Sequence, residues 1–389
     1  MHLTKIDIRN VANIDSLQIE FNRHMNIICG PNGIGKTTIL ECIAQSFSGQ
    51  FVPILKRRAD SSEGEVLAWI DDISSTDSAG FKVTEFLPAR GNSYTQPIEH
   101  RAKNLLSLKV ARTFNYQPLD AVAKDVRKDT AKISTENISG LNISEVKNWF
   151  VNRHLYSAHS DSLTGAQLHN ISLAKEFFGI LNSNYQFSRV DASSNEIMVN
   201  TPAGEILYEY LSSGFKSCLS ILFGIVKELE FRFKELEVKA DEFSGVILID
   251  EIELHLHPDW QAKIAKILTI AFPKSQFIVS THSPHVIQAA QLDEVIALQT
   301  DNGHVFRRTL PETQYGFQGW TIEEVLKDVM GMEDTRTLIY HKTLKDFEVA
   351  VDDDNYSDAS AAYEKLDSLL HPENHLRKLL AFQLGALKG

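Results

Sequence analysis

In LQIEF, residues 17–21, apolar Leu17, Ile19 and Phe21 alternate with polar Gln18 and Glu20, the period of a strand with one buried face. MNIIC, Met25 to Cys29, is apolar on nearly every position and reads as a strand buried on both faces. GVILID and QFIVST repeat that texture further on, and WQAKIAKILTIAF between them has helical spacing. A glycine-rich turn after MNIIC leads into a helix expected from about Lys36 to Gln45. Residues 50–120 mix short strands with polar turns such as ADSSEGE and RGNSYTQP. From about Asp120 to Asn182 the apolar positions follow a helical period. EIMVNTPAGEILYEYL predicts a hairpin that turns at Pro-Ala-Gly, and a long helix is expected from about Gly214 to Glu237. After Ala289, EVIAL and HVFRRTL predict a closing strand pair. Gly316 to Gly319 form a break, and the rest is helical and polar, with Tyr363, Leu366 and Leu370 on one helix face. Asp352 to Asp354 read as a solvated loop capping a helix.

Strand, turn, helix, helical insertion, then strands alternating with helices predict an α/β fold with a mixed, largely parallel sheet. The length of 389 residues allows two domains or one α/β core with insertions. Hydrophobic content of 43% supports a large core. A net charge of −12 argues against whole-surface attraction to nucleic acid, but leaves local basic patches open. LKRR (Leu55 to Arg58) and the segment around Arg101 and Lys103 are two such patches, readable as solvated faces or as DNA contacts. Cys29, Cys42 and Cys218 show neither disulfide nor ligand spacing, which fits a reducing cytosol. The N-terminus does not resemble a signal peptide, and no run of about 18 apolar residues predicts a membrane span. A cytoplasmic protein is expected.

GPNGIGKTT, Gly30 to Thr38, matches the phosphate-binding loop G-x-x-x-x-G-K-[ST], between a buried strand and a helix as the chemistry requires. Glycines let backbone amides converge on phosphate oxygens, and the helix N-terminus adds a favourable dipole. Asn32, Gly33, Ile34, Gly35, Lys36, Thr37 and Thr38 are therefore expected to bind a nucleotide, with Lys36 on the β- and γ-phosphates and Thr37 on Mg²⁺. A P-loop needs an acid at the end of a neighbouring buried strand. GVILID supplies Asp250 as the second Mg²⁺ ligand, and Glu251 follows as a candidate general base. In LIDEIELHLHP, His255 and His257 could join Asp250, Glu251 and Glu253 as metal ligands, or could be loop and interface residues. LSSGFKS places Ser212, Ser213 and Gly214 at a helix N-terminus, either an ordinary cap or an anion site. STHSPHVI sets His282 at the C-terminal end of a strand, where ligands gather in α/β sheets. It is read as a structural histidine or as a ligand contact.

In the order P-loop, LSSG, DE, THS, these segments resemble the heads of the ABC ATPase superfamily, nearest the soluble branch with SMC, RecF and OLD-family ATPases. Leu211, Ser212, Gly214 and Lys216 match that branch's signature, while Ser213 and Phe215 depart from it. The resemblance implies an ATPase in which two copies sandwich ATP. Lys36, Thr37 and Asp250 of one copy would bind Mg-ATP, and Ser212, Ser213 and Gly214 of the other would close on the γ-phosphate. Glu251 would act on water and His282 would contact the γ-phosphate. Gln117 is the candidate for the glutamine that links the two lobes, or else a turn residue before Pro118. Asn10, in the turn ahead of the P-loop, is a further candidate for a place near the nucleotide.

The implied division is a P-loop lobe over 1–119, a helical lid or arm over 120–190, a signature lobe over 191–315 and a C-terminal helical extension over 316–389. Long separations of Leu211 from Lys36 and from Asp250 argue against a transporter ATPase. No long heptad arm is present, as SMC proteins would need, and the tail lacks a nuclease domain of the OLD type. DEIELHLHP, THSPHVI, MGMEDTR and HPENHLRKLLAFQLG together resemble the ATPases of Septu-type prokaryotic antiviral defence. That resemblance implies a homodimer or higher even oligomer gating a separate HNH-type nuclease. The alternative is a RecF-like repair ATPase that binds DNA directly.

Overall fold

The computed structural model describes all residues except 49–53, 72–75, 88–98, 111–117, 127, 143–144, 160, 234–236, 312–313, 333–335 and 388–389. The RGNSYTQP turn and Gln117 fall outside the described residues. The chain divides into two units, Met1–Gly331 and Met332–Gly389.

The first unit opens with strands β1 (His2–Val11), β2 (Ile14–Glu20) and β3 (Met25–Cys29), then helix α1 (Lys36–Ser46) and strands β4 (Gly64–Asp71), β5 (Thr76–Val83) and β6 (Leu105–Leu108). Helices α2 (Thr130–Ser139), α3 (Val146–Tyr156) and α4 (Gly165–Leu181) precede strands β7 (Gln186–Val190), β8 (Ile197–Thr201) and β9 (Gly204–Leu207). The remaining main elements are α5 (Ser213–Arg232), β10 (Val246–Ile249), α6 (Pro258–Ala271), β11 (Gln276–Ser280), α7 (Pro284–Gln288), β12 (Val295–Asp301) and β13 (His304–Arg307).

The central sheet runs β13-β12-β3-β11-β10-β6 and is parallel except for the β12–β13 pair. Its strands are apolar on both faces because both faces are covered. Met25, Ile27, Ile247, Ile249, Phe277 and Val279 enter one core, while Ile28, Val246, Leu248 and Ile278 enter the other. That split follows the period-two pleat. The second core is closed by α1 and by an antiparallel sheet of order β2-β1-β4-β5. The first is closed by α3, α4, α5 and α6.

Of the helices in the stretch expected to form a lid or arm, α3 and α4 pack into that first core. Phe223 of α5 lies 5.1 Å from Phe150 of α3 and 5.9 Å from Phe178 of α4, centroid to centroid. Burying each such ring stabilises the fold by about 1.5–3 kcal/mol, more than a free arm could gain. The expected hairpin is present as β8 and β9, with β7 as a third strand.

In the second unit, helices Leu338–Asp352, Tyr356–Leu369 and His375–Ala386 enclose Phe347, Ala350, Ala359, Leu366, Leu370 and Leu380. Tyr363 packs beside them, as the helical spacing predicts. The cap of the middle helix is Asn355, whose side chain accepts from the Asp358 amide at 3.2 Å. Asp352 to Asp354 do not cap it; Asp352 closes the preceding helix.

Candidate nucleotide site

β3 ends at Cys29, and the chain then turns through Gly30, Gly33 and Gly35, whose φ angles are 144°, 74° and 109°. Gly30 has no alternative, because a Cβ there would stand 2.6 Å from the Leu298 carbonyl oxygen. Ile34 is buried and pins the loop to the core, while Asn32, Gly33 and Thr37 are exposed. Helix α1 starts at Lys36 with no side-chain cap and no acidic residue in its first turn. Its leading amides are thus left for an external anion. Asn13, in the β1–β2 turn, donates its side-chain amide to the Gly33 carbonyl, whereas Asn10 lies within β1 rather than in that turn.

Lys36 is buried, and its Nζ donates to the carbonyls of Gly30 at 2.8 Å and Pro31 at 3.0 Å. Burial lowers the pKa of this ammonium from its ordinary value, against the pull of Cys29 and of the carboxylates of Glu253, Glu251 and Asp250. A buried cation held only by neutral carbonyls, beside uncapped helix amides, fits a phosphate chain.

Asp250 follows β10 and is almost wholly buried. Its Oδ1 accepts from Thr37 Oγ1 at 3.1 Å and from Ser280 Oγ at 2.6 Å. The two strands are not neighbours, contrary to expectation: β11 lies between β3 and β10. The Asp250 carboxylate reaches the P-loop side across β11, with Ser280 at that strand's end bridging the gap. Ser280 also accepts the Glu251 amide at 2.8 Å, so one hydroxyl orients both acids. Glu251 sits at φ 48°, a left-handed conformation that a non-glycine residue adopts at a cost of about 1–3 kcal/mol. The Thr37 hydroxyl and the Asp250 carboxylate form a pair of hard oxygens of the kind Mg²⁺ takes from a protein, leaving its other positions to phosphate and water.

His282, after β11, has an exposed ring. Ser212 caps α5, its hydroxyl accepting from the Phe215 amide at 3.3 Å. Gly214 is required by packing, since a Cβ there would stand 2.8 Å from Trp260 Cδ1. Phe215, the departure from the signature, is a core residue. Its ring meets Trp260 edge-on at 5.5 Å and Tyr185 at 5.1 Å. Within one chain α1 packs into one core and α5 into the other, so the two helices lie on opposite faces of the sheet.

Of His255 and His257, weighed in the sequence as metal ligands or as loop and interface residues, His257 is the N-cap of α6, before Pro258 at the first turn. His255 is exposed at φ 64°. Among the described residues, no group of three or more His, Cys, Asp or Glu side chains is arranged to hold a metal.

The family described as "AAA domain, putative AbiEii toxin, Type IV TA system" matches residues 25–288, from β3 to the end of α7. The Septu protein PtuA of Bacillus thuringiensis is 41% identical over 390 residues, covering 98% of this chain and 97% of that protein. The chain belongs to the PtuA family of AAA-domain ATPases. It is an ABC-type ATPase. The Retron Vc95 probable ATPase of Vibrio cholerae serotype O1 biovar El Tor is 40% identical over 91 residues, 23% of this chain and 18% of that protein. Among solved structures, the SMC head domain from Thermotoga maritima is 15% identical, covers 80% of this chain and 100% of that one, and aligns with a TM-score of 0.48. No described helix of this PtuA-family chain is long and apolar enough to cross a membrane.

Sequence reasoning missed Ser280 and Asn13. The first could have been found as a hydroxyl ending a buried strand beside the acid-bearing one. The second had no local signal beyond its place in the turn ahead of the P-loop.

Proposed function

We propose that this ATPase works as a pair of heads closing on ATP, and that closure gates a separate nuclease subunit of the HNH type in antiviral defence. Lys36 and the amides of Gly33 to Thr38 bind the β- and γ-phosphates. Thr37 and Asp250 would hold Mg²⁺, which would supply neutralisation of the phosphate charge. Glu251 takes a proton from the attacking water as its oxygen bonds to the γ-phosphorus and the bond to ADP breaks. Ser212, Ser213 and Gly214 of the second copy, together with His282, meet the γ-phosphate. The observation that carries this reading is the placement of α1 and α5 in opposite cores, which supports completion of each site by another chain.

Of the two basic stretches that could have served direct DNA binding, the one at Lys56 to Arg58 is engaged within the chain. Lys56 donates to the Leu87 carbonyl at 2.8 Å, Arg57 to the Thr84 carbonyl at 3.1 Å, and Arg58 to Asp60 at 2.8 Å. This favours action through a protein partner over a RecF-like loading on DNA.

Light scattering tests the pairing. Glu251→Gln with Mg-ATP is expected at twice the 43.8 kDa chain mass, and Ser212→Arg in that background returns it to one chain while ATP stays bound. Single-chain mass for ATP-loaded Glu251→Gln would defeat the proposal. Co-purification of a nuclease from the native operon tests the second half, and duplex binding by the isolated protein would favour the DNA reading.

A further inference from the structure

We propose that Glu253 and Gln261 are positioning residues that fasten the loop after β10 to the turn bearing His282, so that loop and histidine move as one body. This rests on the reading of His282 as a γ-phosphate contact.

Glu253 uses both carboxylate oxygens on that turn. Its Oε2 accepts from Thr281 Oγ1 at 2.7 Å, and its Oε1 accepts from the His282 amide at 2.5 Å. A second tie lies at the far end of the same loop. Gln261 Nε2 donates to the Leu256 carbonyl at 2.7 Å, and its Oε1 accepts from Ser283 Oγ at 2.6 Å. Ser283 in turn caps α7, accepting from the amides of His285 and Val286. At the near end, the Ile252 amide donates to the Ser280 carbonyl at 3.0 Å. The loop from Glu251 to His257 is thus joined to residues 280–283 at three levels.

The loop needs these ties, because Glu251 and His255 both hold left-handed backbone. His282 needs them too. Its ring is exposed, so its direction is set through its backbone, and Glu253 holds that backbone. Any displacement of the loop by a second copy would therefore re-aim His282. Both Glu253 oxygens are committed to this bracket.

The test compares steady-state ATP hydrolysis by the full chain and its variants. Glu253→Ala is expected to lower kcat about tenfold or more while KM for ATP stays within about twofold, the pattern of a lost transition-state contact. Glu253→Gln keeps most of the rate, since its carbonyl still accepts from His282 and its amide can donate to Thr281. Thr281→Val, which removes one of the two bonds, falls between. Glu253→Ala combined with His282→Ala is no slower than His282→Ala alone, as residues acting through each other are not additive. Amide hydrogen exchange over residues 281–285 rises in Glu253→Ala and in Gln261→Ala. If Glu253→Gln were as inactive as Glu253→Ala, Glu253 would act by its charge and the proposal would fall. Unchanged exchange over 281–285 would overturn it independently of any rate. A wild-type rate for His282→Ala with raised exchange in Glu253→Ala would sink the role of His282 and keep the bracket.

Discussion

Ser280 holds Asp250 with its proton and the Glu251 amide with its oxygen. Removing it deprives a buried carboxylate of its shortest hydrogen bond, a loss worth about 1.5–3 kcal/mol for a charged acceptor. Ser280→Ala is expected to raise the Mg²⁺ concentration for half-maximal hydrolysis by roughly tenfold or more on that scale. A titration superimposable on wild type would remove Ser280 from the site. Lys36→Ala should abolish equilibrium ATP binding outright, because it removes the cation whose Nζ is held inside the P-loop turn by the Gly30 and Pro31 carbonyls. The glycines, Lys36, Thr37, Asp250 and Glu251 were legible because each motif is contiguous and its chemistry dictates the spacing. Ser280 was not, since its contacts lie thirty residues away and depend on which strand sits beside which. Phe215 shows the same limit from the other side. Within the signature it read as a departure, whereas its position in the aromatic core is visible only in three dimensions.

Strand existence was legible at the level of elements, and strand order was not. Apolar runs mark β3, β10 and β11 as buried, but nothing in their composition says that β11 separates the other two. The helices over 120–190 illustrate a second gap: helical period shows that a face is apolar, not what covers it. Here α5 covers it, and it also carries a cluster of buried charge. Glu228 is fully buried and meets Lys128 Nζ at 2.6 Å, Lys227 Nζ at 3.2 Å and Arg232 Nε at 3.5 Å. Burial pushes its carboxyl up, but these three cations outweigh that and lower its pKa. Glu228→Ala would leave them facing one another in the core, at a cost of about 3–5 kcal/mol. Chemical denaturation should show that loss, and a loss under about 1 kcal/mol would mean the cluster is hydrated or rearranges. Another pairing joins β2 to β13. Burial would raise the Asp15 pKa, but the bonds from His304 and the Val305 amide hold it at about 2. A depressed carboxylate stabilises the fold above its unfolded value near 4 and ceases to do so as pH falls towards 2. Asp15→Asn should thus lower Tm near neutral pH, with the gap to wild type closing on acidification. A gap that widened in acid would contradict the assignment.

For the whole molecule, the proposed pairing gives a single chain two half-sites, the P-loop with its acids beside α1 on one face of the sheet, and the Ser212 cap of α5 on the other. If closure is between copies, the halves are separable by mutation. Lys36→Ala spoils the P-loop half and leaves the cap intact. Ser212→Arg spoils the cap half, at a cost of about 1 kcal/mol in helix stability, and leaves the P-loop intact. Each variant alone should be inactive, because every site it forms contains a damaged half. In an equal mixture about half the pairs are mixed, and each mixed pair contains one site built from two sound halves. Hydrolysis should therefore reappear on mixing, at up to about a quarter of the wild-type rate, and should vanish on dilution below the pairing affinity. Recovery can arise only between chains, since neither variant can repair itself. A mixture as inactive as its components would mean that each chain completes its own site, and the role given to the α5 cap would have to move elsewhere.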